Sequence, residues 1–190
     1  RVAREQIVQG RAEAVHVGRE GPRLGERLAT VATVNDVHFG ETICGIIEGL
    51  DMGPVFSSEP GAEPYPEVMN RGAIAEMQAL GPDVVIVKGD LTSKGTLAEY
   101  ATFLAAYEPA FGERLVHVRG NHDGYYGESY AAAPTQRVDL PGVTLAVLDT
   151  TDPLKTPGRV TPEQLELALA AMSADAAGQT VDRAIFMAAL

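Results

Sequence analysis

Three short apolar segments of this chain each end in polar side chains that can bind a metal ion or transfer a proton. The segments are residues 29–34, 84–87 and 115–118, and the side chains that follow them belong to Asp36, His38, Asp90, Asn121, His122 and Asp123. Apolar runs rich in β-branched residues are typical of strands covered on both faces of an α/β sheet. Functional groups gather beyond the carboxyl ends of such strands. We therefore expect these polar side chains to lie together at one edge of a sheet.

Helical patterns alternate with the apolar segments. Residues 70–80 form one predicted helix, which Gly81 and Pro82 end, and residues 96–108 form another, which stops at Pro109. The alternation of strand and helix predicts an α/β domain in which helices and sheet form layers. The positions expected to be buried in these two helices are Ala73, Ile74, Met77, Leu80, Leu97, Tyr100, Ala101 and Leu104.

The remaining segments are less regular. Residues 143–148 are a predicted fourth strand, and a further helix begins at Thr161, with Gln164 completing the cap and Leu165, Leu169 and Met172 as its buried stripe. Residues 50–66 contain four prolines and predict an irregular loop, which either shapes substrate entry or is a surface insertion. Residues 1–28 are interpreted as an N-terminal segment or edge strands.

The charge balance limits the partners of the chain. With 15 Lys and Arg against 26 Asp and Glu, the net charge is -11, so no long-range positive field attracts nucleic acid or an anionic membrane. No apolar run approaches the roughly 18–20 residues that span a bilayer. The single cysteine, Cys44, excludes an internal disulfide framework. The compartment stays undetermined, with the cytoplasm favoured, and so does the oligomeric state.

The donor types narrow the choice of metal. Carboxylate and amide oxygens combined with imidazole suit Mn, Fe or Zn better than Ca, and the absence of cysteine from the set argues against a structural zinc site. A carboxylate such as Asp90 can bridge two cations, and such a pair stabilises both the attacking and the leaving oxygen in a displacement at phosphorus. We therefore expect two divalent or mixed-valence ions.

The three motifs in this order resemble one known family. Asp36-Val37-His38, then Gly89-Asp90, then Gly120-Asn121-His122-Asp123 are similar to the motifs of the calcineurin-like metallophosphoesterases, particularly the bacterial phosphodiesterase branch. The resemblance covers about residues 29–188. It implies a layered α/β/β/α sandwich with mixed sheets, formed by one domain over residues 29–190.

The resemblance also implies an activity. Members of the family are dinuclear metal-dependent phosphoesterases, and this chain is expected to hydrolyse phosphodiester or phosphomonoester bonds of small molecules through a metal-bound hydroxide. A nuclease of the same fold and a degenerate member that binds without catalysis are the alternatives.

By the same resemblance, each motif residue has a role. Asp36 and His38 would bind the first metal, Asp90 would bridge the two metals, and Asn121 would bind the second through its amide oxygen.

His122 would donate a proton to the departing alkoxide or steady the charged phosphoryl oxygens. Asp123 would hold the imidazole of His122 in place. A proton donor positioned like His122 contributes roughly 10²- to 10⁴-fold to the reaction rate.

The histidines depart from the family pattern. Members complete the site with a histidine after a later strand and with a Gly-His-x-His motif, whereas the histidines here are His16, His38, His117 and His122. Residues 184–187 look like the strand that would deliver the first missing histidine. We expect a domain that is incomplete at its C-terminus and binds metal weakly, especially at the second position.

Several other polar residues have both a functional and a structural interpretation. Asp149 and Asp152 follow the fourth strand and are either ligands or turn residues. Three tyrosines after the third motif either stack on a ligand or pack over their loop; they are Tyr125, Tyr126 and Tyr130.

Overall fold

Strands and helices alternate along most of the chain. The computed structural model describes residues 13–17, 27–47, 50–124, 129–133, 135–174 and 184–188. In chain order the elements are β1 (Glu13–Val17), β2 (Ala29–Val34), β3 (Ile43–Ile47), β4 (Leu50–Ser57), α1 (Tyr65–Leu80), β5 (Val84–Lys88), α2 (Leu97–Phe111), β6 (Leu115–Val118), α3 (Asn121–Gly124), β7 (Thr135–Leu140), β8 (Val143–Leu148), α4 (Pro162–Ala174) and β9 (Ala184–Ala188). A 3-10 turn, Gly112–Arg114, connects α2 to β6.

The first sheet contains the three strands that precede the predicted site. Its strand order is β1-β2-β5-β6. Strands β2, β5 and β6 run parallel, with Val34 beside Val87 and Lys88 beside Val118, while β1 is antiparallel to β2 at the edge. Parallel pairing brings the carboxyl ends of β2, β5 and β6 to the same edge of the sheet, as the sequence predicts.

A second sheet packs against the first. Its order is β7-β8-β9, with β7 antiparallel and β9 parallel to β8, so both sheets are mixed. Alternate residues of facing strands fill the space between the sheets. They are Ala29, Val31, Val84, Ile86, Val118, Val143, Leu145 and Val147.

Helices cover the outer faces. The opposite side chains of β2 and β5 point away from the second sheet and pack with α1 and α2 in a separate apolar cluster. On the far side, Ala168 of α4 packs on Ala146 and Leu148 of β8. The layers are therefore α/β/β/α, and the predicted sandwich with mixed sheets is confirmed.

The prediction of an irregular loop over residues 50–66 is wrong for its first half. Leu50–Ser57 is strand β4, which pairs with β3 as an antiparallel hairpin. The register shifts between Cys44 and Ile46, and Pro54 lies in the part of β4 opposite that shift. In a two-stranded ribbon each strand pairs along one edge only, and its other edge needs no N–H donor. A proline is therefore tolerated in this part of β4.

Helix α1 ends where predicted but begins earlier. The Gly81 N–H donates to the carbonyls of Met77 and Gln78, and its φ of 59° is the left-handed value that favours glycine. The helix starts at Tyr65, with Pro66 in its first turn, rather than at residue 70. Ala73, Ile74 and Met77 are buried as expected, whereas Leu80 is exposed.

Helix α2 confirms its predicted cap and contradicts its predicted face. Thr96 and Glu99 form the capping box. The buried stripe consists of Phe103, Tyr107 and Phe111, whereas Leu97, Ala101 and, in part, Tyr100 and Leu104 are exposed. The helix is apolar on most sides, so its spacing alone does not choose the buried face, and the large aromatic rings take it.

The predicted stop of α2 at Pro109 is also wrong. Pro109 lies inside the helix, which continues to Phe111. A proline in the last turn removes one backbone hydrogen bond. Phe111 is 3% exposed and packs in the core, and this burial outweighs that loss.

Helix α4 presents a different face from the predicted one. Thr161 and Gln164 cap it reciprocally, as expected. Gln164 and Ala168 are buried, while Leu165 and Leu169 are each 48% exposed, so the predicted stripe is wrong at these two positions. Because Ala168 is small, the helix backbone lies close to β8, and Gln164 donates to the Asp149 carbonyl. The side chain of Met172 lies outside the described residues.

The sequence predicts no membrane span. Across the described ranges, none of the helices combines the length and the apolar character that crossing a bilayer needs.

Candidate metal centre

The first motif leaves strand β2 in an uncommon backbone conformation. Asp36 and His38 have φ of 53° and 45°, in the left-handed region that residues other than glycine rarely adopt. The His38 N–H donates to the Asp90 carbonyl at 2.9 Å, and the Phe39 N–H donates to the Leu91 carbonyl at 3.1 Å. These two bonds join the first motif to the second.

Asp90 shares this conformation, with φ of 44°. Among the described residues, positive φ at a residue other than glycine occurs at Asp36, His38, Asp90, Ala131 and Leu154. Each such conformation costs about 1–3 kcal/mol and persists only where the surroundings impose it. Three of these five residues are predicted metal ligands, so the backbone strain is concentrated at the predicted site.

The Asp90 carboxylate is enclosed by histidines. It is 7% exposed, its Oδ1 accepts the backbone N–H of His122 at 3.0 Å, and its Oδ2 lies 3.5 Å from Nε2 of His38. Burial raises the pKa of the Asp90 carboxyl, and the His122 N–H and the two imidazoles oppose that rise. The site thus holds a buried acid that a nearby positive charge would stabilise in its ionised form.

Gly120 permits the close approach of the second and third motifs. A Cβ at this position would lie 2.1 Å from Oδ1 and 2.3 Å from the backbone nitrogen of Asp90. Real Cβ atoms do not come so close to other heavy atoms. Only glycine therefore lets the chain before Asn121 lie against Asp90.

The imidazole of His122 is oriented by a backbone carbonyl. Its Nδ1 lies 2.7 Å from the carbonyl oxygen of Ser93. A carbonyl only accepts, so Nδ1 carries the hydrogen and Nε2 is the nitrogen left for the site. The rings of His38 and His122 meet edge to face, with centroids 4.6 Å apart.

Three side chains form a group that could hold a cation. His38, Asp90 and His122 each offer one ligand atom, and these atoms lie within 4.8 Å of one another. Nδ1 of His38 is buried and has no hydrogen-bond partner. Buried polar atoms are rarely left unpaired, and imidazole and carboxylate are the ligands that Mn, Fe and Zn accept. The residues present therefore fit a divalent metal.

The other two predicted ligands, Asp36 and Asn121, are close in sequence to His38 and His122 of this group. The Asp36 side chain is exposed and accepts a hydrogen bond from the amide of Asn35. Asn121 is half-buried at the first position of α3, directly before His122. Their roles as ligands stay predictions.

Asp123 does not hold the imidazole of His122, so this part of the prediction is wrong. Asp123 is fully buried, and its carboxylate accepts hydrogen bonds from Leu91 N–H, Thr92 N–H, Thr92 Oγ1, Gly120 N–H and Tyr130 OH. Both carboxylate oxygens thus accept from other groups, while Nδ1 of His122 lies against the Ser93 carbonyl. Asp123 instead ties the loop after Asp90 to the loop before Asn121.

Several residues that support the site have no counterpart in the sequence-based prediction. They are Glu67, Asn70, Thr92 and Ser93. Thr92 and Ser93 directly follow the second motif, and this proximity is a signal that could have identified them. Glu67 and Asn70 are ordinary polar residues of a helix, and no feature of their spacing marks them.

The carboxylates after β8 have structural partners. Asp149 is buried, and its Oδ2 accepts from Nε of Arg119 at 2.9 Å. Asp152 pairs with Lys155 at 2.9 Å, and this pairing lowers the pKa of Asp152. These contacts favour turn roles over metal binding for both residues.

The tyrosines after the third motif, the other histidines and the cysteine differ in whether the structure describes their side chains. Tyr130 packs rather than points to open space, because its ring stacks on Tyr100 at 4.3 Å. His117 packs as well, with Nε2 2.9 Å from the Tyr100 hydroxyl. Tyr125 and Tyr126 lie outside the described residues, as do the side chains of His16 and Cys44.

Two comparisons with known proteins bear on the family of this chain. A model of the calcineurin-like phosphoesterase family matches residues 29–165, a range that includes all three motifs. A cAMP/cGMP dual specificity phosphodiesterase of Mycobacterium tuberculosis is 35% identical in an alignment over 97 residues, and the match covers 45% of this chain and 30% of that protein. The match therefore spans less than a third of the length of that relative.

Proposed function

The chain belongs to the calcineurin-like phosphoesterase family, and from this we propose that it is a metal-dependent hydrolase of phosphate esters of small molecules. The observation that carries the proposal is the grouping of His38, Asp90 and His122 within 4.8 Å at the carboxyl ends of parallel strands. The orphaned Nδ1 of His38 supports a cation there.

We assign two cations to the site. Asp36 and His38 would hold the first, Asp90 would bridge, and Asn121 would hold the second, with Mn, Fe or Zn as the ions that this donor set suits. A bound divalent cation supplies a Lewis acid that activates water and stabilises phosphoryl oxygens. Left-handed backbone at Asp36, His38 and Asp90 supports this assignment, because such strain persists where function requires a fixed side-chain direction.

His122 is assigned the role of proton donor to the leaving oxygen. The Ser93 carbonyl takes the Nδ1 hydrogen, so Nε2 is the atom that would hold the transferred proton. The same Nε2 could instead bind metal, since His122 belongs to the three-residue group. His122→Ala separates the two roles. A proton donor loses roughly 10²- to 10⁴-fold in kcat with metal content retained, whereas a ligand loses metal content first.

Small phosphodiesters are the favoured substrates. The Mycobacterium tuberculosis relative is named as a cAMP/cGMP phosphodiesterase, and a net charge of -11 disfavours a polyanionic substrate such as nucleic acid.

Hydrolysis of bis(p-nitrophenyl) phosphate and of cAMP with added Mn²⁺ tests the proposal. Asp90→Asn should lower kcat/KM by at least about 100-fold, because it removes the bridging carboxylate. The matched control is Asp152→Asn, which changes a carboxylate outside the site and should keep the wild-type rate. A wild-type rate no higher than that of Asp90→Asn would overturn the proposed hydrolase activity.

A further inference from the structure

Asn70 of α1 is a buried residue whose amide is fully occupied. It is 6% exposed. Its Nδ2 donates to the Val37 carbonyl at 3.0 Å and to the Pro66 carbonyl at 2.8 Å, and its Oδ1 accepts from the Tyr107 hydroxyl at 2.6 Å. The two carbonyls only accept, so the orientation of the amide is determined by its partners.

The contact with Val37 reaches the part of the first motif that has left-handed backbone on both sides. Val37 lies between Asp36 and His38, which have φ of 53° and 45°. Left-handed backbone persists where the surroundings over-determine it, and a hydrogen bond to the carbonyl between two such residues restrains both. Asn70 therefore acts on the backbone that directs the His38 side chain.

A second residue of the same helix holds the loop on the other side of His38. Oε1 of Glu67 accepts the Gly40 N–H at 3.0 Å. Glu67 and Asn70 are one turn apart on α1, so the helix restrains the loop both before and after His38. Tyr107 links this arrangement to α2 through its hydroxyl, and burial raises the pKa of Tyr107 above its usual range.

We propose that Asn70 is a positioning residue for metal binding, which holds the Val37 carbonyl so that His38 faces Asp90. This inference rests on the proposed function only where it concerns the metal. The restraint on the loop can be measured without any metal.

The isosteric variant Asn70→Asp tests the donor role. It keeps an acceptor for Tyr107 and replaces the donor toward Val37 and Pro66 by an oxygen that repels both carbonyls. The milder variant Tyr107→Phe removes only the hydroxyl that orients the amide. Thr144→Val is the matched control, because Thr144 is similarly buried, at 5% exposed, but lies in the second sheet.

Two quantities are measured for each folded variant. The first is hydrogen exchange of the His38 and Phe39 amides in metal-free protein, and the second is Mn²⁺ affinity, from EPR of free Mn²⁺ up to millimolar concentration. We expect Asn70→Asp to raise exchange at these amides at least tenfold and to weaken Mn²⁺ binding by roughly 10- to 100-fold. Tyr107→Phe should raise exchange at these amides and weaken Mn²⁺ binding by smaller factors. Thr144→Val should leave both the exchange at these amides and the Mn²⁺ affinity unchanged.

The outcomes separate this inference from the proposed function. Exchange at His38 and Phe39 that stays at the wild-type rate in Asn70→Asp overturns the inference, and Tyr107→Phe decides it if Asn70→Asp does not fold. Faster exchange with unchanged Mn²⁺ affinity overturns the role in metal binding. Wild-type protein that binds no Mn²⁺ counts against the proposed function and the metal role, whereas the loop restraint is still judged by exchange.

Discussion

The carboxylate of Asp123 binds Thr92 twice: Oδ1 accepts the backbone N–H at 2.9 Å and the hydroxyl at 2.7 Å. Thr92 follows Asp90 by two residues, and Asp123 follows Asn121 by two. A single buried acid thus joins the loop that carries the predicted bridging ligand to the loop that carries the predicted ligand of the second metal. The distance between these two loops depends on this contact.

Asp123→Asn should therefore destabilise the fold. The new side-chain NH₂ group replaces a carboxylate oxygen and faces N–H and O–H groups that are themselves donors. At least one buried donor therefore loses its acceptor, which lowers the free energy of unfolding by about 1–3 kcal/mol. Urea unfolding followed by circular dichroism measures the loss. Asp152→Asn, which removes a carboxylate from a surface ion pair, should leave the midpoint nearly unchanged. Equal midpoints for the two variants would contradict the role of Asp123.

Gly120→Ala should displace Asp90. The new Cβ would come within 2.3 Å of the Asp90 backbone nitrogen, so the backbone must move. We expect a lower melting temperature and weaker Mn²⁺ binding. Gly72→Ala is the control, because a Cβ at Gly72 meets nothing within 4 Å, and alanine should stabilise the middle of α1 by about 0.5–1 kcal/mol. If both variants were stabilised, Gly120 would not be required for close approach.

Acidification should destabilise the protein partly through His117. Burial lowers the pKa of His117 in the folded state, so the unfolded chain binds the proton more readily. The free energy of unfolding therefore rises with pH through this group and falls as the pH drops below about 6.5, the ordinary value of histidine. Urea unfolding between pH 5 and 7.5 should show a shallower pH dependence for His117→Gln than for wild type. Parallel curves would exclude this contribution.

Added Mn²⁺ should stabilise the folded chain. A ligand that binds only the folded state raises its stability by RT ln(1 + [L]/Kd), about 2.7 kcal/mol at 100 times Kd. We expect the melting temperature to rise with Mn²⁺, to return with EDTA, and to respond little in Asp90→Asn. A similar rise of the melting temperature in Asp90→Asn would mean that the stabilising Mn²⁺ binds at another site.

The local pattern of the chain determined much of this architecture. The strands before Asp36, Asp90 and Asn121 are short runs of mainly apolar and β-branched residues, and their type and order are confirmed. Gly81 has a local role as a left-handed helix cap, whereas the close approach of Gly120 to Asp90 joins distant segments. The buried faces of α2 and α4 were not predictable in this way, because several faces of each helix are apolar and the choice depends on the neighbouring sheet.

The sequence by itself thus determined which side chains stand at the ends of the strands, because hydrophobic periodicity and strand length are properties of neighbouring residues. Only the tertiary structure decided how those side chains are held. The Ser93 carbonyl that orients His122, the donors around Asp123 and the contact of Asn70 with Val37 all join residues from separate segments. Such hydrogen bonds depend on distance and direction in space, and residue spacing in the sequence does not predict them.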